Sequence, residues 1–159
     1  MNYQPLEHYT RRWIFTHASM PLSDDLLEKI RPLTQGRSSV LWREFISAMA
    51  SDADHFGQGD WAANPTTWKE EASWQEAWDG DEPALPEDVL AFIGWEDNTT
   101  VYFCYEKYNI VETDWGTFKQ CWKNFLFFDD GPILLGRRQK EVLWFNSQGL
   151  VQLGERTEG

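Results

Sequence analysis

Cysteine is scarce in this chain: Cys104 and Cys121 are the only two among 159 residues. Two are too few for a disulfide framework or a zinc site, and their number suits a reducing compartment with both thiols free. Histidine is almost as sparse. His8, His17 and His55 have no metal-ligand spacing and form no HExxH arrangement, so no metal is expected. There is no GxGxxG, no P-loop and no Gly-x-Ser-x-Gly elbow, which removes the local signatures of nucleotide binding and serine hydrolysis. A triad assembled in space from one of the histidines with Ser or Cys stays open. No cofactor and no catalytic residue is expected from these patterns. No run of eighteen apolar residues occurs, so no transmembrane helix is expected. The opening MNYQPLEHYTRRWIF has no apolar core or small-residue cleavage site, so no secretory leader is expected and the setting reads as cytoplasmic. Without a secretion route the acceptor pattern Asn98-Thr99-Thr100 carries no meaning.

Basic residues are the last scarcity. Fourteen Lys and Arg stand against twenty-six Asp and Glu, a net charge of −12. Residues 48–100 hold thirteen acids and one base, Lys69, while each flanking part lies within one charge of neutrality. A field of this sign repels phosphate backbones, so no nucleic acid is expected as partner. It would attract a basic protein.

Aromatic residues are what the chain has in plenty: ten Trp and ten Phe, within 42% hydrophobic residues. That supply suits one globular domain over residues 1–159, of a size that buries roughly 70% of its unfolded surface. RWIFTH (12–17) reads as an edge strand or an irregular lead-in. SDDLLEKIR reads as a helix capped by Ser23 and ended by Pro32, with Leu26, Leu27 and Ile30 inward. Leu41, Trp42, Phe45, Ile46 and Met49 recur at helical spacing and predict a helix over 39–50. PEDVLAFI predicts another short helix. TTVYFCYE and NIVET form a hairpin, a helix follows over about 115–126, and PILLGR, EVLWFN and LVQLGE are strands. Helices toward the N-terminus and strands toward the C-terminus give an α+β fold with a mainly antiparallel sheet.

The segment GDWAANPTTWKEEASWQEAWDGDEPALP, residues 59–86, joins both excesses. Asn64-Pro65 is a good helix opening and Gly80 a good end, so an acidic, Trp-rich helical segment is expected at about 59–82. On that helix Trp68, Trp74 and Trp78 fall within an arc of about 120°, with Glu71 and Gln75 between them. Glu70 and Glu76 point elsewhere. Two readings follow. The rings clamp the helix to the core and the acids are its wet face, or the rings are exposed platforms rimmed by charge for a basic protein, a cationic ligand or a sugar.

Three smaller features complete the candidates. Asp129-Asp130-Gly131-Pro132 offers two carboxylates at a tight bend, either a self-capped turn or pocket carboxylates; it lacks the repeated ligands of a calcium loop. Arg137, Arg138 and Lys140 form a positive hairpin tip, a solvated turn or an anion site. Cys121 lies on the apolar face of its helix, as a small hydrophobe does.

RRWIFTHASMP (11–21), LPEDVLAFIGWEDNTTVYFCYEK (85–107) and WGTFKQCWKNFLFFDDGPILLGRR (115–138) resemble a small bacterial family known only as a domain of unknown function. The resemblance covers nearly the whole length, implies a bacterial cytosolic single domain, and carries no catalytic residue. LPEDVLAFI followed by strands, with the acidic balance, is also similar to the Smi1/Knr4-type proteins, many of which act as immunity proteins. The tryptophan segment is not part of that pattern.

The leading expectation is a non-catalytic, adaptor- or immunity-like protein-binding module that uses Trp68, Glu70, Glu71, Trp74, Glu76 and Trp78. The rival is a small-molecule binder or hydrolase whose tryptophan-walled pocket uses Glu71, Asp129 or Asp130. A third is a subunit that buries the aromatic helix against a second copy. Trp74→Ala separates core from platform: urea unfolding should show a loss of about 3–5 kcal/mol for a packed ring, and under about 1 for an exposed one.

Overall fold

The computed structural model describes residues 2–127 and 131–156. In chain order its helices are α1 (Trp13–Thr16), α2 (Asp24–Leu27), α3 (Gln35–Phe45), α4 (Trp74–Asp79), α5 (Glu87–Phe92) and α6 (Trp115–Phe125). The strands are β1 (Arg31–Pro32), β2 (Trp68–Ser73), β3 (Thr100–Glu106), β4 (Asn109–Asp114), β5 (Ile133–Gly136), β6 (Glu141–Phe145) and β7 (Leu150–Glu155). All seven strands join one sheet in the order β1-β4-β3-β5-β6-β7-β2, every pair antiparallel. The α+β expectation holds, and the centre of the sheet is the C-terminal hairpin series.

Register explains why both faces are apolar. Val111, Phe103, Leu134, Leu143 and Leu153 sit opposite one another across five strands and are all buried on one face. One residue along, Ile110, Cys104, Ile133 and Trp144 make the matching row on the other face. Because strand side chains alternate, a sheet covered on both sides needs apolar residues at nearly every position. VYFCY and ILLG meet that need.

The first face is covered by α6, which lays Trp115, Phe118, Trp122 and Phe125 on Phe103 and its neighbours, with α1 and α5 beside it. Asn124, buried in this layer, donates from Nδ2 to the carbonyls of Ile14 and Met20, both at 2.8 Å, and so ties the N-terminal segment down. The second face is covered by Leu41 and Trp42 of α3, by Ile46 and Ala62, and by a run of rings from Phe56 to Trp61, Trp68 and Trp144.

Several local readings hold and others shift. Ser23 accepts from the Leu26 N–H as the expected cap, but the helix it opens is a single turn. The helix expected over 39–50 lies at Gln35–Phe45, opened by Thr34, whose side chain accepts from the Arg37 N–H at 3.2 Å. RWIFTH contains a helical turn, not an edge strand.

The larger correction concerns 64–80. Asn64 does cap, accepting from the Thr66 N–H at 3.0 Å, and Pro65 does follow it, but only the 3-10 turn Pro65–Thr67 results. The backbone then extends as β2 and pairs with β7, from Trp68 opposite Gly154 to Ser73 opposite Leu150. A helix begins only at Trp74, where Ser73 caps through the Glu76 N–H. Lys, Glu and Ala favour helix only by fractions of a kcal/mol each, and five paired positions on β7, with a shift of register at Lys69, outweigh that preference.

Gly154 makes this pairing possible. A Cβ there would meet the Thr67 carbonyl oxygen and lie 2.8 Å from the Trp68 ring. Gly154→Ala should therefore cost at least about 2 kcal/mol in urea unfolding. Gly36→Ala, in open space near the start of α3, should gain up to about 1 kcal/mol.

Candidate functional site

The expected site residues are divided by the sheet. Trp74 is buried on the first face, with only 5% of its surface exposed, and donates from Nε1 to the Asn146 carbonyl at 3.1 Å. Trp78 is half-buried on the same side, donating to the Lys123 carbonyl at 2.8 Å and meeting Phe127 edge-on. Trp68 belongs to the second face, where it packs against Trp61 and Trp144 and donates to the Ala62 carbonyl. The single tryptophan flank does not exist, because the chain between Trp68 and Trp74 is a strand. Trp74 is packed as core, and Trp68 and Trp78 are half-buried.

The acids follow one another along the chain, but Glu70 and Glu71 project to opposite faces of β2. Glu70 and Glu71 are exposed on β2, and Glu76 is exposed in the first turn of α4, which continues directly from it. Gln152 of β7 donates to Glu71 at 2.6 Å and steadies it. β2 is the last strand of the sheet, so it pairs with β7 alone. Among the described residues no strand pairs with its other side, which runs beside exposed Lys69, Glu70 and Glu71. Asp79, Asp81 and Glu82 continue the exposed acidic run beyond Glu76. Asp129 and Asp130 lie outside the described residues.

A feature the sequence reading did not assemble lies on the second face: an open cleft of about 940 Å³ between the end of α3, the segment 57–65 and the β5–β6 turn. Trp61 forms part of its wall and donates to the Phe45 carbonyl at 2.8 Å. Arg138 and Lys140, read from sequence as a hairpin tip, reach it together with Arg43 and Arg156. Periodicity gives no hint that α3 and the end of β7 meet there.

A family model described as protein of unknown function (DUF2947) matches residues 3–154. The chain belongs to that family. The match takes in every described helix and all of the sheet except Glu155, the last residue of β7. Neither the comparison with curated proteins nor that with solved structures gives a match. The looser Smi1/Knr4 likeness gains nothing from these comparisons.

In this DUF2947 chain His17 and His55 make local contacts within their own turns. His17 Nδ1 accepts from the Ser19 N–H at 3.1 Å in an exposed turn, and His55 contacts Asp52, the cap of its own turn. Among the described residues no three His, Cys, Asp or Glu side chains are grouped to hold a metal ion, and no helix is long and apolar enough to cross a membrane. Both cysteines are free and buried. Burial, and to a smaller extent the Asp114 carboxylate, pushes the Cys121 thiol up to about 12. Burial raises the Cys104 thiol as well. A thiol held neutral in this way is a poor nucleophile at neutral pH.

The raised Cys121 value fixes the sign of a pH effect. The folded chain holds the proton more tightly than the unfolded one, so its contribution is complete below about 9 and is lost as pH rises toward about 12. Urea unfolding across that range should show stability falling with pH, and Cys121→Ala should flatten part of the slope. Trp74→Ala should lose about 3–5 kcal/mol, as a buried ring does, and more than Trp78→Ala.

Proposed function

We propose that this DUF2947 protein is a non-catalytic protein-binding module that receives an extended, basic segment of a partner along β2 and the start of α4. The observation that carries the reading is the open edge of β2, with Glu70 and Glu71 exposed on the strand and Glu76 beyond its end. An open strand edge offers main-chain hydrogen bonds to an added strand, and the side chains beside it set which strand is accepted. Here they are mostly acids, within a third of the chain that holds thirteen acids and one base.

Charge also protects an exposed edge from pairing with copies of itself. The two roles agree: glutamates repel a second acidic edge and attract a lysine- or arginine-rich one. Long-range attraction from the −12 charge would speed encounter, and short-range pairing would set the register. A hydrolase that uses Glu71 is the weaker alternative, because Glu71 stands exposed on an outer strand and does not line the cleft beside Trp61.

The test is Glu70→Gln with Glu71→Gln and Glu76→Gln in one chain. Affinity capture of basic partners from native cells should fall about tenfold and lose most of its salt dependence, while the melting temperature stays within a few degrees. Unchanged capture with an unchanged melting temperature would refute the reading.

A further inference from the structure

Positive charge is rare on this molecule, and four of its fourteen basic residues line one cleft. Arg43 comes from the last turn of α3, Arg138 and Lys140 from the β5–β6 turn, and Arg156 from the residue after β7. Two acids share the lining, Glu44 and Asp60. Asp60 is already engaged, accepting from the Ser47 hydroxyl at 2.8 Å and the Gly57 N–H at 3.0 Å. The cleft is thus locally cationic on a chain of net charge −12.

Arg156 and Trp61 are held in place by contacts within the fold. Arg156 donates to the Gln139 carbonyl at 2.7 Å, and its guanidinium lies 5.5 Å from the centre of the Phe45 ring. Its N–H bonds to the Lys140 carbonyl, which ties the end of β7 to the turn. Lys140 stands 3.8 Å from Glu155, a distance at which an exposed pair contributes little. Trp61 is fixed in the wall by its bond to Phe45.

Arg138 adds an independent observation. It has φ of 62° and is the one non-glycine residue with positive φ among the described residues. It follows Arg137 in the turn that Gln139 closes with its N–H on the Gly136 carbonyl. Glycine or asparagine fits that backbone position without the steric cost that arginine bears. A long cation kept there, in the lining of a cationic cleft, points to a role beyond folding.

We infer that this cleft binds a compact multivalent anion, a phosphate ester or a di- or tricarboxylate. Guanidinium groups match phosphate and carboxylate oxygens in pairs, and a volume near 940 Å³ admits a small organic molecule. The acidic remainder of the surface selects for compactness. A long polyanion leaving the cleft would run along repelling carboxylates, whereas a small one need not. This site is separate from the acidic strand edge and does not depend on it.

The experiment is calorimetric titration of the full chain, at low ionic strength, with sodium pyrophosphate, with citrate and with an oligoglutamate peptide. Saturable binding of pyrophosphate or citrate is expected, the tighter of the two naming the anion class. Arg43→Gln with Lys140→Gln should weaken it about tenfold or more at an unchanged melting temperature, since both side chains are exposed. Arg138→Gly should weaken it too while the melting temperature holds or rises. The triple glutamine variant of the acidic edge should bind the anion as the parent does, which keeps failure here distinct from failure of the strand-edge reading. No saturable binding of either small anion, binding indifferent to the Arg43 and Lys140 changes, or binding of the peptide alone would each overturn the inference.

Discussion

The bond between an indole N–H and a main-chain carbonyl recurs through this structure and holds its irregular parts. Among the described residues seven tryptophans make one: Trp42 to Ala50, Trp61 to Phe45, Trp68 to Ala62, Trp74 to Asn146, Trp78 to Lys123, Trp122 to Pro83 and Trp144 to Gly131. Most of these acceptors lie in loops or at the ends of elements, where ladder or helix partners run out. A carbonyl taken from water without a partner is costly, and a tryptophan supplies the partner and the apolar cover in one side chain. Each such bond nets only about 0.5–1.5 kcal/mol, but the ring that carries it excludes water from the whole contact. The long passages between α3 and β2 and between α4 and α5 are ordered by this means.

Because the rings face inward, the charge faces outward, and the fold sorts it by sign. The segment from Gly57 to Glu76 contributes to both charged surfaces: its first part walls the cationic cleft, and its second part is the acidic edge strand and the turn into α4. Trp61 and Trp68, in contact with each other, join the two. An acidic protein with one cationic cleft can therefore present two unlike surfaces without a second domain.

Part of this was legible in the sequence. The hairpin of TTVYFCYE and NIVET, the three closing strands and the helix from Trp115 follow from local alternation and spacing, which each segment carries within itself. Ser73-Trp74-Gln75-Glu76 also carries a helix opening of the Ser-x-x-Glu kind, and the structure uses it. The earlier signal at Asn64-Pro65 masked it. Both caps are real, but a cap states only where a helix can start, and the turn after Pro65 ends within three residues.

The sequence by itself determined the aromatic core, the α+β class, the central antiparallel strands and the concentration of acid between residues 48 and 100, since each depends on residue type and near-neighbour spacing. Tertiary structure alone decided that Trp68 through Ser73 is an edge strand, because its partner is β7, about eighty residues away, and Gly154 must be bare to receive it. It alone decided that Trp68 and Trp74 face opposite sides of the sheet. It also brought Arg43 and Arg156 to Arg138 and Lys140, for no local pattern records which distant side chains will share a cleft.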